Sequence, residues 1–277
     1  MRYGIIADLH ANLPALEKVL AHLDRERIDG LVCLGDLVGY GPHPDEVVAM
    51  VAEREIPTVV GNHDLVAAGL DDLDRCGEDA RATLAWTRAT ISASTRDFLR
   101  ALPHRLELDG GIVAAHGSID DPWRYVRRLP DVLEQLDEVR RLGLGSMLLL
   151  AHTHRQMVVD ETSRKVATSE GLLARRRRTV AVKRPAFVNP GAVGQSRELR
   201  QISRCAILDT ASGKVHLYSM RYPYERCADD LRRRDLPPEW CHARPSVTKV
   251  AKQTMRDAQD RRYGRWKGDR FRQRVRS

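Results

Sequence analysis

MRYGIIADLH, residues 1–10, is a short apolar strand that runs directly into the carboxylate of Asp8 and the imidazole of His10. Residues 14–27 then carry leucine and valine at helical spacing, and a second apolar strand follows at residues 31–34. This order of strand, helix and strand predicts parallel strands that are buried on both faces. We therefore predict an α/β protein with a largely parallel sheet.

Histidine, aspartate and asparagine follow other predicted strands as well. The segments read DLH at 8–10, GD at 35–36, GNHD at 61–64, HG at 116–117 and AHTH at 151–154. The carboxyl ends of strands lie along one edge of an α/β sheet, so segments that are distant in sequence can converge there. Imidazole, carboxylate and amide oxygen bind divalent cations of borderline or hard character. The pattern predicts a metal site at this edge.

The spacing of these residues allows two ions. Asp8 and His10 lie two residues apart, as do His152 and His154, and Asp36 has two carboxylate oxygens that can bridge. Two divalent ions carry four positive charges, and the two aspartates cancel half of them, so the remainder suits a phosphate and a hydroxide. Ions roughly 3.5–4 Å apart stabilise the attacking and leaving oxygens of an in-line displacement. These residues therefore indicate phosphoester chemistry.

The order of the motifs resembles the calcineurin-like metallophosphoesterase superfamily, in which D-x-H, GD, GNH(D/E), H and GHxH follow one another. The segments LVGYGP at 37–42, HGS at 116–118 and NPGAVG at 189–194 look like its bacterial and archaeal small-phosphoesterase branch. The resemblance spans residues 1 to about 244. It implies a four-layer sandwich of two mixed β-sheets flanked by helices, and a hydrolase that acts on a phosphomono- or phosphodiester.

Carried over by position, the resemblance implies two metal sites that share one aspartate. Asp8, His10, Asp36 and His154 would hold one ion, and Asp36, Asn62, His116 and His152 would hold the other. A hydroxide that bridges the ions would attack phosphorus. His63 would protonate the leaving oxygen, and Asp64 would position this imidazole and keep it charged. An imidazole with a pKa near ~6.5 can donate a proton at neutral pH.

The remaining expectations concern the choice of metal and three residues near the ligands. We expect two divalent ions, manganese first, with iron, zinc, nickel or magnesium as alternatives, because all accept this donor set. Asn12 either contacts the substrate or caps the helix that begins near Pro14. Arg155 is a candidate for a bidentate contact with a substrate phosphate. Ala11 stands where the family commonly has glycine, and alanine makes a positive φ costly.

The charge of the chain is concentrated at its C-terminus. Residues 246–277, which we call the basic tail, hold 11 basic and 3 acidic residues, whereas residues 1–245 hold 35 of each. Low hydrophobicity and high net charge predict a disordered tail. Tyr263, Trp266 and Phe271 lie among its lysines and arginines, so nucleic-acid binding through the tail is the alternative. We take residues 1–245 as the phosphoesterase domain.

Two further segments complete the organisation of the chain. Residues 65–102 look mainly helical and are interpreted as an insertion, and the basic run Arg175–Arg178 is predicted to be a solvated loop or hairpin. The five cysteines are scattered singly, which fits reduced thiols in a cytoplasmic protein. No apolar run approaches the ~20 residues of a membrane span.

Several functions stay open at this level. The first is a general phosphoesterase, the second a nucleic-acid-directed phosphoesterase recruited through the basic tail. The third is a non-catalytic module that binds phosphate or nucleic acid at a vestigial site. The sequence fixes neither the substrate, nor the native metal, nor the oligomeric state.

Overall fold

The computed structural model describes residues 1–162, 165–167 and 176–246, with the single positions 248, 255 and 259. Its strands are β1 (Arg2–Ile6), β2 (Gly30–Cys33), β3 (Arg105–Leu108), β4 (Ile112–Ala115), β5 (Met147–Leu149), β6 (Gln156–Asp160), β7 (Lys165–Ala167), β8 (Arg177–Ala181), β9 (Ala186–Pro190), β10 (Ser203–Asp209) and β11 (Lys214–Met220). Its α-helices are α1 (Leu13–Leu23), α2 (Pro44–Glu53), α3 (Asn62–Ala68), α4 (Glu78–Thr90), α5 (Ala93–Ala101), α6 (Leu129–Arg141) and α7 (Tyr224–Arg232). Short 3₁₀ helices occur at Asp24–Glu26, Leu73–Arg75 and Pro238–Cys241.

The strands form two mixed sheets. The first has the order β2-β1-β10-β11-β8 and the second the order β3-β4-β5-β9-β6-β7. β1 and β2 are parallel, as the N-terminal pattern predicts, and so are β4 with β5 and β5 with β9. The other pairings are antiparallel. The prediction of a largely parallel sheet is therefore wrong, because short connections such as those of β3–β4 and β10–β11 close antiparallel hairpins.

Alternating side chains divide the strands between two cores. Ile5 packs into the core between the two sheets, whereas Ile6 packs against the helices on the outer face of the first sheet. Leu149 and Leu148 repeat this alternation in the second sheet, where Leu148 faces α6. Successive residues of a strand point to opposite faces, which produces this division. The layers are helices α1 to α5, first sheet, second sheet and α6, so the expected four-layer sandwich is confirmed.

Two local predictions differ from the structure. Arg177 and Arg178 belong to β8, an edge strand that pairs antiparallel with β11, and not to a loop. Their side chains are exposed, and an edge strand with a solvated face accommodates such charges. Residues 58–60 also predict a third strand, but the structure has only one parallel bridge there, between Thr58 and Cys33, in the described part of the chain.

The basic tail lies almost entirely outside the described residues, so its predicted disorder and its binding to nucleic acid both stay hypotheses. Within the described part of the chain, none of the helices has the length and apolar character that crossing a membrane requires.

Candidate metal centre

Three loops meet beyond the carboxyl ends of β1 and β2 in the first sheet and β9 in the second. The amide of Asp8 donates to Gly35 O at 3.0 Å, and the amide of His10 donates to Asp36 O at 2.9 Å. On the other side, the amide of Gly194 donates to Asp8 O at 2.9 Å. The loop after β1 is therefore held between the loops that follow β2 and β9. This pairing fixes the backbone from which Asp8, His10 and Asp36 project.

The backbone at these positions is left-handed. Positive φ values between 47° and 62° occur at Asp8, His10, Asp36, His152 and His154. Each costs roughly 1–2 kcal/mol for a residue with a Cβ, and such strain clusters at functional sites. Ala11 also has a positive φ of 49°, so alanine takes up the conformation that we expected it to disfavour.

Two groups of donor atoms lie where the sheets meet, and within each group the atoms lie within 4.8 Å of one another. The first group is Asp8, His10, Asp36 and His154, and the second is Asp36, His116 and His152. All of these side chains are buried. Loops of the first sheet supply the aspartates and His10, and loops of the second sheet supply the other histidines. Asp36 is common to both groups, as the sequence predicts for a bridging carboxylate.

Each of these histidines donates one ring N–H to a backbone carbonyl. Nδ1 donates in His10, His116 and His154, to Val38 O at 3.2 Å, Leu34 O at 2.6 Å and Gln195 O at 2.8 Å. In His152 it is Nε2 that donates, to Trp123 O at 3.2 Å. In His10, His116 and His154 the other ring nitrogen, Nε2, faces the cluster. Metal-binding histidines are commonly oriented by hydrogen bonds of this kind.

Several buried atoms of the cluster have no hydrogen-bond partner among the described residues. They are both carboxylate oxygens of Asp8, Oδ2 of Asp36, Oδ1 of Asn62 and Nε2 of His116. A buried polar atom left without a partner costs about 1–3 kcal/mol, and more when it is charged. Nε2 of His10 also lies 3.0 Å from Nε2 of His154, so two lone pairs face each other. Divalent cations bound by oxygen and nitrogen would satisfy all of these atoms.

The charge states of the side chains differ within the cluster. Burial raises the pKa of Asp8 to about 7, more than the nearby His116 lowers it. Burial would also raise the pKa of Asp36, but His116 and His63 hold it well below its usual range. Burial lowers the pKa values of His10, His152 and His154, so these imidazoles are neutral at pH 7, the form that binds metals. Burial would lower the pKa of His116 too, but Asp36 raises it to about 9, so His116 would release a proton on binding a metal.

His63 lies beside the cluster at the start of α3. Its backbone amide donates to Asp36 Oδ1 at 2.9 Å, and its ring centroid lies 4.8 Å from those of His10 and Tyr40. A Cβ at Gly39 would overlap Nδ1 of His63, so glycine provides the space for this ring. Burial lowers the pKa of His63 to about 4, although Asp36 acts in the opposite direction.

Among the described residues, Asp64 makes no hydrogen bond with the ring of His63, so its role in positioning that ring stays a prediction. The carboxylate of Asp64 accepts the amides of Leu37 at 2.8 Å and Val38 at 3.2 Å through Oδ1, and that of Gly61 at 2.9 Å through Oδ2. Its role is to fix the loop that carries Asp36 to the first turn of α3.

Asn12 caps α1, and a contact with the substrate is not supported. Its Oδ1 accepts the amide of Ala15 at 3.2 Å, and its amide nitrogen donates to Gly194 O at 2.6 Å and to Tyr222 at 3.2 Å. Both polar atoms of this buried side chain therefore make hydrogen bonds within the protein. Arg155 follows His154 and is partly exposed. Its contact with a substrate phosphate stays a prediction.

Sequence reasoning missed Arg197 and Tyr125. Arg197 lies on the loop between β9 and β10, and its charge lowers the pKa values of histidines in both donor groups, although burial contributes more. The ring of Tyr125 stacks on that of His152 at 3.9 Å. The available signal for Arg197 was its position three residues after Gly194, in the loop that also carries NPGAVG.

A four-layer sandwich with a buried histidine and aspartate cluster between its sheets defines the class of metallophosphoesterases. Residues 1–213 match the calcineurin-like phosphoesterase superfamily domain, and the chain belongs to this superfamily. A metallophosphoesterase from Sphaerobacter thermophilus is similar in structure, with a TM-score of 0.73, 30% identity and coverage of 87% of this chain and 96% of that one.

Two further relatives are similar over most of their length. An uncharacterized protein of Methanocaldococcus jannaschii is 28% identical over 243 residues, which cover 86% of this chain and 94% of the relative. A hypothetical protein from Pyrococcus horikoshii OT3 shares the fold, with a TM-score of 0.69, 21% identity and coverage of 87% and 96%.

Proposed function

We propose that this protein is a metal-dependent phosphoesterase that hydrolyses a phosphomonoester or a phosphodiester. The observation that carries the proposal is the position of Asp36 between the two donor groups. Its Oδ2 has no hydrogen-bond partner among the residues that the structure describes, and it lies 3.8 Å from Nε2 of His10 and 3.3 Å from Nε2 of His116. A carboxylate oxygen placed between two sets of imidazole nitrogens suits a bridge between two divalent cations.

The donor set fits two such ions. The first would be held by Asp8, His10, Asp36 and His154, and the second by Asp36, Asn62, His116 and His152. We propose manganese first, because carboxylate and amide oxygens accompany the imidazoles; iron, zinc, nickel and magnesium accept the same set. Two bound ions activate water and stabilise the charge on the attacking and leaving oxygens of a phosphoester.

We assign the protonation of the leaving oxygen to His63. Its ring lies against the first donor group, its Nδ1 has no partner in the described part of the chain, and it belongs to neither donor group. The imidazole is neutral in the protein alone. The negative charge of a bound phosphate favours the protonated ring.

The proposal is tested with p-nitrophenyl phosphate and bis(p-nitrophenyl) phosphate as substrates of protein loaded with Mn²⁺. We expect Asp36→Ala and His116→Ala to lose most of the activity and to bind fewer than two ions per chain. His104→Ala, which removes an exposed histidine outside the cluster, is the matched control and should behave like the wild type.

Rates like those of the wild type in Asp36→Ala or His116→Ala would refute this site. Fewer than one ion per wild-type chain, measured by elemental analysis with metal in excess, would instead favour the non-catalytic binding module.

A further inference from the structure

The loop of residues 194–200, which we call the arginine loop, is fixed on both sides of Arg197. Before it, Gln195 O accepts Nδ1 of His154 at 2.8 Å, and the side chain of Gln195 donates to Trp240 O at 3.0 Å. After it, Glu198 accepts two hydrogen bonds from the buried Arg204, at 2.5 and 2.7 Å. A buried bidentate ion pair holds a backbone firmly. Arg197 therefore projects from a rigid loop.

The side chain of Arg197 lies near the ring of Tyr125, which is stacked on His152. Its Nε donates to Oε1 of Gln195 at 3.2 Å. A guanidinium has five N–H donors, and this contact uses only one of them. Within residues 1–162 and 176–246, no ion pair joins Arg197 to a carboxylate. Its positive charge is therefore not paired with a carboxylate in this part of the chain.

The guanidinium lies close to both donor groups. Burial opposes its charge, but the neighbouring phenol groups of Tyr40 and Tyr125 and the carboxylate of Asp8 outweigh this, so the pKa of Arg197 is raised. Asp8 belongs to the first donor group, and the ring of Tyr125 is stacked on His152 of the second. The carbonyl of Gln195, two residues before Arg197, holds His154 at 2.8 Å. The cation therefore faces the junction of the two donor groups.

We propose that Arg197 binds a non-bridging oxygen of the substrate's phosphoryl group and makes the site prefer phosphomonoesters over phosphodiesters. This inference rests on the proposed function and narrows its substrate class. The planar fork of arginine matches two oxygens of a phosphate. A phosphomonoester carries close to two negative charges and three terminal oxygens. A diester replaces one of these oxygens with a neutral substituent, so it offers the guanidinium less charge.

The test compares Arg197→Gln and Arg197→Lys with the wild type, all loaded with Mn²⁺. Binding of inorganic phosphate is measured by calorimetry, and hydrolysis is measured with p-nitrophenyl phosphate and bis(p-nitrophenyl) phosphate. For Arg197→Gln we expect phosphate affinity and monoester kcat/KM to fall about 10- to 100-fold, the range of a lost charged hydrogen bond. Diester kcat/KM should change by less than about 3-fold, and Arg197→Lys should recover part of the loss.

The matched control is Arg200→Gln, which removes an exposed arginine of the same loop and should leave phosphate affinity and both rates unchanged. Equal metal content in the wild type and Arg197→Gln shows that the donor groups are intact. Unchanged phosphate affinity in Arg197→Gln, an unchanged ratio of monoester to diester rates, or a loss of metal would overturn the inference. The wild type could also bind phosphate through Arg197 and yet hydrolyse neither ester. This result would overturn the proposed function, but it would support Arg197 as a phosphate ligand.

Discussion

His63 shows at the level of one residue how a side chain can lie beside the donor groups without belonging to them. The ring packs beside His10, yet its nitrogens take no part in either donor group. Asn62, its neighbour in sequence, instead presents a buried oxygen that has no partner in the described part of the chain. Adjacent residues at the start of a helix thus point in different directions, and they can serve the same site in different ways.

We predict that His63→Ala keeps two ions per chain and slows hydrolysis about 10²- to 10⁴-fold for an alkyl phosphate, the usual contribution of general acid catalysis. The loss should be much smaller for p-nitrophenyl phosphate, because p-nitrophenolate departs without a proton. Steady-state rates on both substrates, with metal analysis, check this. An equal loss on both leaving groups would show that His63 does not donate the proton.

The residues of the two donor groups could be predicted from sequence because each follows a strand, and strand ends converge at one edge. The hydrogen-bond partners of Asp64 could not. Asp64 is adjacent to His63, and on a helix neighbouring side chains diverge, so the carboxylate reaches back to Gly61 and across to Leu37. Arg197 was missed because its location depends on the ion pair of Glu198 with Arg204, which sequence spacing does not reveal.

Helix α3 is the element on which the junction of the donor groups depends. It has seven residues, and Gly61 at its N-cap lies directly against Asp36. A Cβ at this glycine would overlap both Oδ1 and the backbone nitrogen of Asp36. The first turn of the helix and the shared carboxylate are therefore packed without room for another atom.

We predict that Gly61→Ala displaces Asp36, lowers the metal content and destabilises the fold by about 1–3 kcal/mol, as overpacking usually does. Gly77→Ala is a matched control, because Gly77 is also a helix N-cap with a negative φ and a Cβ there meets nothing within 4 Å. Urea unfolding and metal analysis of both variants provide the measurement. A Gly61→Ala protein with full metal content would contradict the packing argument.

The elements were predicted best where apolar periodicity is strong, as in β1, α1 and β2. β8 was missed because its arginines resemble a solvated loop, and only its pairing with β11 makes it a strand. The direction of the strands was misjudged in the second half of the chain, since alternation of strands and helices does not distinguish a crossover from a hairpin.

At the scale of the whole molecule, the site belongs to the part of the chain before the basic tail. The last described contact with the arginine loop comes from residues 242 and 243, where the amide of Ala243 donates to Ser196 O at 3.1 Å and His242 forms a bridge with Ser196. Residues beyond this bridge are not needed by any contact of the cluster that the structure describes.

We predict that a protein ending at Ser246 keeps its metal content and hydrolyses p-nitrophenyl phosphate within about 2-fold of the full chain, because every donor residue is retained. A protein ending at Arg234 is the control. We expect it to be less stable, because it lacks the bridge between His242 and Ser196. Loss of activity in the longer truncation would place part of the basic tail in the site.

The same truncation decides between the two hypotheses for the tail. Affinity for DNA and RNA is measured against salt concentration for both lengths of chain. A lower affinity with a smaller salt slope after truncation would support nucleic-acid binding, and an unchanged weak affinity would reject it.

The place of β1 in the first sheet has a consequence for synthesis. β1 lies between β2, which follows it closely in sequence, and β10, which begins only at Ser203. At a translation rate of ~5–20 residues per second, roughly 10–30 s pass between the emergence of the two neighbours. During that interval one edge of β1 stays open, although His116, His152 and His154 are already made. The nascent chain therefore carries all the residues of the two donor groups beside an unpaired strand until its last third is made.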